Sequence, residues 1–275
     1  EEVNEVYHLI QNEKAQAEKL LKKIIKGRVY EAHAIASSIY TFEKEKHTKE
    51  EIFEIIKNSL GSILYNEDRG YYFISDVYGN LLLQSAHKEL EGKNFLELKD
   101  ANGYQFVKHM VKTIQSKSEN FDYYYWYKTK DRLKTHKKIS FYKYFEPYDV
   151  LLGSGEYVVD FENVLKKRVL EKIRKIRFGN NGYVFLYDMK GNTLSHFKKD
   201  LIGINRINLQ DKNGKYVLKE ILDFAQKNKS GFMSYTATAK PDTTIKSRDK
   251  ISYIKKYDEW NWVMGAGFYL GDLNK

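Results

Sequence analysis

Cysteine is absent from this chain of 275 residues. That absence excludes disulfide bonds, thiolate metal sites and cysteine nucleophiles, and it is compatible with oxidising and reducing compartments alike. No apolar run reaches the ~18 residues that a membrane span needs, so we expect no span within this sequence. Because the chain begins at Glu1 rather than at a methionine, we expect it to be a fragment of a longer protein.

The motifs of the common catalytic and nucleotide-binding sites are also missing. No G-x-x-x-x-G-K-[ST] phosphate loop occurs. The run Gly153-Ser154-Gly155 lacks the spacing of a serine nucleophile elbow, and Val158 stands where a dinucleotide-binding motif needs its third glycine. The seven histidines have no H-E-x-x-H or H-x-x-x-H spacing. These absences predict no enzymatic activity, no cofactor and no dedicated metal site.

Positive charge is in excess, with 47 Lys and Arg against 37 Asp and Glu and a formal net charge of +10. Such an excess makes nucleic acid or an anionic membrane face a candidate partner. The lysines are scattered along polar faces rather than gathered in one segment, which favours a solvated surface and no nucleic-acid partner. A basic protein that stacks bases on aromatic strands is the less favoured alternative, and it requires exposed rings.

The first 60 residues have a helical pattern. Apolar residues recur at spacings of three and four from Val3 to about Glu43, and Gly27 is the single interruption. We predict one continuous helix of ~40 residues, about 60 Å long at 1.5 Å per residue. Thr48 and Glu51 have the spacing of a capping box and begin a second helix that ends near residue 61.

After these helices the chain contains the same series of motifs twice, about 112 residues apart. A period of this length is too long for the units of a solenoid and indicates a duplicated domain. The matched pairs are Gly70–Asn80 with Gly182–Asn192, Asp100–Gly103 with Asp211–Gly214, Lys138–Phe141 with Lys250–Tyr253, and Leu151–Tyr157 with Val263–Tyr269.

The pattern predicts an α+β fold with two tandem modules. We place the first module at residues 61–160 and the second module at residues 178–275. Each would be a mainly antiparallel sheet of about five strands with helices on its faces, because short aromatic and β-branched segments alternate with Asp, Gly and Asn turns. A connecting helix over residues 161–177 would link them, with Asp160 as its N-cap.

The order of these motifs resembles that of the Cache sensor domain family. A helical leader precedes G-Y-x-F-x-x-D-x-x-G-N, L-x-G-K-N (from Leu90), D-x-N-G, an aromatic strand, K-I-S-[FY] and a closing [LV]-x-G-x-G-x-Y, and this order occurs twice. The chain is similar to the second Cache subfamily in a tandem arrangement. It departs from the family where His87 is followed by Lys88 instead of proline, and where Ala237 stands in the second copy opposite Trp126 of the first.

This resemblance implies a PAS-like fold and an extracytoplasmic, periplasmic sensor domain of a bacterial membrane receptor, with transmembrane helices outside this sequence. It implies that the first module is membrane-distal and holds a small molecule, and that the second is membrane-proximal and passes the signal on through helices. The output domain would be a histidine kinase, a chemotaxis transducer or a cyclic-dinucleotide enzyme.

The segment Phe121–Tyr127 has six aromatic residues, and strand periodicity puts Tyr124 and Trp126 on one face. We select that face as a wall of the ligand site because these positions match the family's strand; a purely structural core role is the alternative. Lys138, if it points inward without an acid beside it, favours a carboxylate ligand. A surface position beside Lys137 is the alternative.

Ser140 shares the face of Lys138, and two histidines would add donors, although a lone histidine is more commonly structural. The ligand predicted is a small carboxylate or amino acid, in preference to a cation. The alternative function is a structural module that binds no ligand, senses through a partner protein and forms a homodimer through the N-terminal helix. The candidate ligand-binding residues are Tyr72, His87, His109, Tyr124, Trp126, Lys138 and Ser140.

Overall fold

The computed structural model describes residues 1–128, 131–179, 182–211, 213–237 and 248–270. Lys212 of the second D-x-N-G motif and the chain after Leu270 lie outside the described residues. The chain divides into two compact units, one of residues Gln16–Val164 and one that joins Glu1–Ala15 to Leu165–Lys275. In the described part of the chain, none of the helices combines the length and the apolar character needed to cross a membrane.

The two N-terminal helices form as predicted. Helix α1 spans Glu2–Glu43 and continues through Gly27, and α2 spans Lys49–Gly61. The capping box of α2 is complete: Thr48 Oγ1 accepts from the Glu51 backbone N–H at 3.2 Å, and Glu51 Oε2 accepts from the Thr48 backbone N–H at 2.9 Å. This pair satisfies two backbone donors that would otherwise lack a partner at the start of the helix.

The strands of the first module are β1 (Leu64–Tyr65), β2 (Gly70–Asp76), β3 (Leu81–Gln84), β4 (Glu119–Lys128), β5 (Asp131–Phe145) and β6 (Val150–Tyr157). They form an entirely antiparallel sheet with the strand order β1-β2-β6-β5-β4 and with β3 paired to β2. Helix α3 (Phe106–Ile114) packs on one face, and α1 and α2 pack on the other. The prediction of an α+β module is therefore confirmed.

The connecting helix begins and ends earlier than predicted. Helix α4 spans Val158–Ile173 and follows β6 directly, so Asp160 lies within its first turn and is not its N-cap. There Asp160 Oδ1 accepts from Lys128 Nζ at 2.7 Å, and a negative charge in the first turn is favourable to the helix dipole. Arg177, the last residue of the predicted helix, lies instead in the short strand β7 (Arg177–Phe178).

The second module repeats the topology of the first. Its strands are β8 (Gly182–Tyr183), β9 (Phe185–Asp188), β10 (Thr193–Ser195), β11 (Ser230–Ala237), β12 (Arg248–Tyr257) and β13 (Trp262–Tyr269). The five-stranded antiparallel sheet has the order β10-β9-β13-β12-β11, and β7 pairs with β8. Helix α5 (Val217–Asn228) packs on one face of the sheet, while Tyr7 of α1 packs edge-on against Tyr257 at 5.3 Å.

The repeated D-x-x-G-N motif is a hydrogen-bonded turn at the end of a strand. Asp76 Oδ1 accepts from the backbone N–H groups of Tyr78 (2.9 Å) and Asn80 (2.8 Å), and Gly79 adopts φ +87°. The aspartate thus replaces backbone partners inside the turn, and glycine supplies the left-handed conformation. The second copy repeats the turn with Asp188, Lys190, Gly191 and Asn192.

Replacement of Gly27 by alanine should stabilise the protein by roughly 0.5–1 kcal/mol, because glycine is a poor residue for a helix interior. A Cβ at this position would have no heavy atom within 4 Å. Urea unfolding followed by circular dichroism measures the change.

Gly155→Ala is the matched control for Gly27→Ala. A Cβ on Gly155 would collide with the Ile139 carbonyl oxygen and lie 2.9 Å from Lys138 Cε, so this variant should be less stable than the parent protein. Destabilisation by Gly27→Ala would contradict the open helix surface described for that position.

Candidate ligand-binding site

A cavity of about 40 Å³ lies in the first module, between α3 and the sheet. It contains Tyr124 and Trp126, the two residues of the aromatic strand that we had assigned to a ligand-facing wall. Most of its wall is apolar. The lining residues are Phe73, Ser75, Gly79, Leu81, Gln84, Phe95, Phe106, Val107, Met110, Tyr124, Trp126 and Leu151.

Aromatic contacts hold the two rings of β4 in place. Phe106 of α3 stacks on Tyr124 with ring centroids 4.2 Å apart and planes 3° from parallel. Trp126 meets Phe106 edge-on at 5.6 Å and Phe95 edge-on at 5.9 Å. Stacked and edge-on rings at these distances attract each other beyond their burial, so the wall of the cavity is preformed rather than adaptable.

Two polar atoms of this apolar cavity have no hydrogen-bond partner among the described residues: Trp126 Nε1 and Gln84 Oε1. Both side chains are buried. A buried donor or acceptor without a partner costs about 1–3 kcal/mol, and native proteins contain few of them. One donor and one acceptor in the same cavity therefore indicate a place for a polar group that does not belong to the protein.

Lys138 points inward and is only 1% exposed, which excludes the alternative of a surface position. Its Nζ donates to the Tyr71 hydroxyl at 2.8 Å and lies 4.0 Å from the centroid of the same ring. The Phe73 and Tyr157 rings lie 5.9 and 5.4 Å from it. Burial lowers the pKa of Lys138 to about 7, and the charge of Glu156 acts in the opposite direction. Among the described residues no carboxylate lies within 4 Å of this amino group.

Ser140 lies two residues further along β5, on the face of Lys138, and is fully buried. Its hydroxyl pairs with the Tyr124 hydroxyl at 2.9 Å, so it orients that ring. Burial raises the pKa of Tyr124 well above its usual value, and the phenol is therefore neutral. Strand periodicity paired Tyr124 with Trp126 and Lys138 with Ser140. The register of β4 with β5, in which Tyr124 stands opposite Lys138, puts both pairs on the same face of the sheet.

Tyr72 lies elsewhere. Its side chain is on the opposite face of β2, where it packs with Ile52 and Ile56 of α2. The reason is the strand period of two, because Tyr71 and Phe73 occupy the cavity face. The sequence pattern G-Y-Y-F contained both tyrosines but did not show which of them faced inward; the pairing of β2 with β6 determines that.

Four further candidates, Lys138, Ser140 and the two histidines, are not among the residues that line the cavity. His109 is half-exposed on α3, and its Nδ1 lies 2.8 Å from Asp122 Oδ2. His87 is buried just before a short 3-10 turn (Lys88–Leu90), with Nδ1 3.6 Å from Glu89 Oε1. Both therefore have structural contacts. Sequence reasoning missed Phe73, Gln84, Phe95 and Phe106, which line the cavity, and Tyr71, which accepts from Lys138.

The fold and the site can be compared with known proteins. The family model for the Cache domain matches residues 1–274. This chain therefore belongs to the Cache family of sensor domains, as its repeated motifs indicated.

Two curated relatives are signalling receptors. The sensor histidine kinase MctS of Rhizobium johnstonii (strain DSM 114642 / LMG 32736 / 3841) is 31% identical over 113 residues, which are 41% of this chain and 24% of MctS. The methyl-accepting chemotaxis protein McpP of Pseudomonas putida (strain KT2440) is 23% identical over 109 residues, which are 39% of this chain and 20% of McpP. The chain thus spans a quarter or less of the length of either relative.

Among solved structures, one described as the structural basis for carboxylic acid recognition by a Cache chemosensory domain is similar to half of this chain. The match covers 51% of this chain and 97% of that domain, with 25% identity and a TM-score of 0.45.

Lys138→Met should change how stability depends on pH. The pKa of Lys138 is about 7 in the folded state, whereas its ordinary value is 10.5, so the unfolded state binds the extra proton between these values. The wild type therefore gains stability as pH rises through this range, by about 1.4 kcal/mol per pH unit. Relative to Lys138→Met, it should gain ~2 kcal/mol between pH 7.5 and 9 in urea unfolding.

The variant Lys137→Met is the control for this experiment, because Lys137 is the exposed neighbour of Lys138 on β5. Its pH profile should run parallel to that of the wild type. Parallel profiles for Lys138→Met as well would show that the buried amine does not titrate in this range.

Proposed function

We propose that this chain is the extracytoplasmic, periplasmic sensing part of a bacterial membrane receptor, and that its first module binds a small organic carboxylate. Membership of the Cache family supports the sensing role. The names of the relatives, a sensor histidine kinase and a chemotaxis receptor, support a protein with membrane anchors and an output domain outside this sequence. In this proposal the first module is membrane-distal and the second is membrane-proximal.

The observation that carries the proposal is the polarity of the first-module cavity. None of the described lining residues is Asp or Glu, so a bound cation would have no counter-charge there. An anion would have the Trp126 N–H, for which no described residue is a hydrogen-bond partner, and the field of Lys138, whose Nζ lies 5.9 Å from the centroid of the Phe73 ring. Apolar side chains would cover the carbon part of the ligand. These features favour a carboxylate over a cation.

The size of the cavity and the absence of acids from its described lining residues narrow the class of ligand further. About 40 Å³ exceeds the roughly 10–15 Å³ that one water molecule needs, which suits a ligand of a few non-hydrogen atoms. An amino acid, the other candidate class, would bring an ammonium group that no described acid of the cavity would neutralise. We therefore infer a short-chain monocarboxylate.

The strand β5 offers a direct path from this cavity to the long helix. Lys138 and Ser140 face the cavity side, while Ile139 and Phe141 on the other face pack against Ile25 and Val29 of α1. A ligand that draws Lys138 towards it would move the same strand that contacts α1. Packed elements respond by small discrete shifts, so α1 is the element through which we expect the signal to leave this module.

Isothermal titration at pH 7 with acetate, propionate and pyruvate, and with propylamine as the cationic counterpart, tests the ligand class. We expect a carboxylate to bind and propylamine not to bind. Lys138→Met and Trp126→Phe should each weaken binding at least tenfold, because one removes the positive field and the other the free N–H donor. Affinity should fall as pH rises above 7, because Lys138 then loses its proton in the free protein.

Lys137→Met should bind as the wild type does, since it removes the same charge from the exposed face of the same strand. Equal losses in Lys137→Met and Lys138→Met would contradict a specific site. No binding by any carboxylate would leave the structural module as the better interpretation.

A second proposal concerns homodimerisation through α1. Leu20 and Ile24 lie one turn apart on one face of this helix and are 52% and 48% exposed. Adjacent exposed apolar residues on a helix are a common element of symmetric dimer contacts. Burial of the Tyr124 and Trp126 rings also counts against base stacking, so a second copy is the macromolecular partner that we propose.

Sedimentation velocity should then show a dimer at micromolar concentrations. Leu20→Lys combined with Ile24→Lys should shift the protein to monomer, because it places charges in the contact. Asn12→Lys, an exposed change on the same helix, should leave the dimer intact. A monomeric wild type at all concentrations would refute this pairing.

A further inference from the structure

The second module contains a cavity at the position equivalent to that of the first, and its volume is about 60 Å³. The strand register is the same: Tyr235 of β11 stands opposite Lys250 of β12, as Tyr124 stands opposite Lys138. Tyr235 and Ser252 also repeat a hydroxyl pair, at 3.0 Å. The frame of the site has therefore been duplicated together with the fold.

Three differences change the chemistry of the second cavity. Arg206, after Asn205, takes the place that Phe95 has after Asn94, and Ala237 takes the place of Trp126. These changes remove two large apolar side chains from the wall and add a guanidinium group. Phe268 takes the place of Glu156, so the acid that acts on Lys138 has no equivalent near Lys250.

Lys250 is 1% exposed and lines this cavity. Its Nζ has one long contact, 3.5 Å to the Tyr183 hydroxyl, and lies 4.5 Å from the Tyr183 ring and 5.2 Å from the Phe185 ring. Among the described residues no carboxylate lies within 4 Å of it. An ammonium group has three N–H donors, so most of its hydrogen-bonding capacity is unused. Burial lowers the pKa of Lys250 to about 8.

The other polar groups of the cavity also favour an anion. Arg206 Nη1 donates to the Tyr187 hydroxyl at 3.3 Å, which brings its guanidinium to the wall. Asp211 is the one acid among the described lining residues, and its Oδ1 already accepts from the backbone N–H groups of Asn213 and Lys215. Burial and the charges of Arg206, Lys250 and Lys198 lower the pKa of His196 to about 3, so this ring is neutral at pH 7.

We propose that the second module is itself a ligand site, in which Lys250 and Arg206 bind a small polar carboxylate. Arg206 has the planar guanidinium whose N–H groups match a carboxylate, and Lys250 supplies a charge that no carboxylate of the described residues approaches within 4 Å. Because Arg206 stands where the first module has Phe95, and Tyr183 and Tyr187 also line this cavity, the ligand has a second polar group, such as a hydroxyl or another carboxylate. The second module then selects a different ligand from the first.

Isothermal titration of the whole chain with lactate and malonate tests this site, with propionate as the probe for the first module. Lys250→Met should weaken lactate or malonate binding at least tenfold and leave propionate binding unchanged. Ala237→Trp, which restores the ring present in the first module, should also abolish binding by filling the cavity. Lys219→Met, on the exposed side of α5, should have no effect.

The proposed sites of the two modules can be refuted independently of each other. Loss of lactate or malonate binding in Lys138→Met but not in Lys250→Met would overturn the second site while supporting the first. Retention of full affinity in both Lys250→Met and Ala237→Trp would overturn it as well. Tight binding of inorganic phosphate, without binding of any carboxylate, would show that the cavity takes a free oxyanion and would refute the carboxylate assignment.

Discussion

The burial of one lysine in each module, Lys138 in the first and Lys250 in the second, is the constraint on which much of this structure depends. An ammonium group removed from water is costly unless aromatic faces, hydroxyl groups or an anion compensate it. In the first module the Tyr71 hydroxyl and three aromatic rings surround Lys138. Gly155 leaves space for its side chain, since a Cβ there would lie 2.9 Å from Lys138 Cε. The K-I-S motif and the closing glycine motif are thus two parts of one packing arrangement.

Duplication preserved this arrangement and changed what surrounds it. In the first copy a nearby acid, Glu156, partly compensates the lysine, and Phe95 and Trp126 keep the cavity small and apolar. In the second copy Phe268 stands in place of the acid, and Arg206 and Ala237 stand in place of Phe95 and Trp126. The second cavity is therefore more cationic, and it is larger than the first. The two modules share a topology, yet the residues that line their cavities differ in size and charge. Similarity of fold therefore does not imply that the two modules have the same function.

Features that depend on local pattern could be predicted from the sequence. These include the long helix, the capping box of Thr48, the twofold repeat and the face shared by Tyr124 and Trp126. The misses depend on tertiary pairing. Adjacent tyrosines in β2 gave no sign of which one faced α3, and the direct passage of β6 into α4 left Asp160 inside the helix. The repeat alone does not reveal the second cavity, because a repeat is recognised by the residues that agree, whereas the chemistry of this cavity lies in the residues that differ.

The division of the chain has a practical consequence for anyone who dissects this protein. Residues Glu1–Ala15 belong to the same compact unit as Leu165–Lys275, and Val3, Val6 and Ile10 are buried there. A single cut between the two sheets would therefore leave the C-terminal piece without part of its own core. Expression of the second module by itself requires a circular permutant or a linker that brings the first fifteen residues back to it.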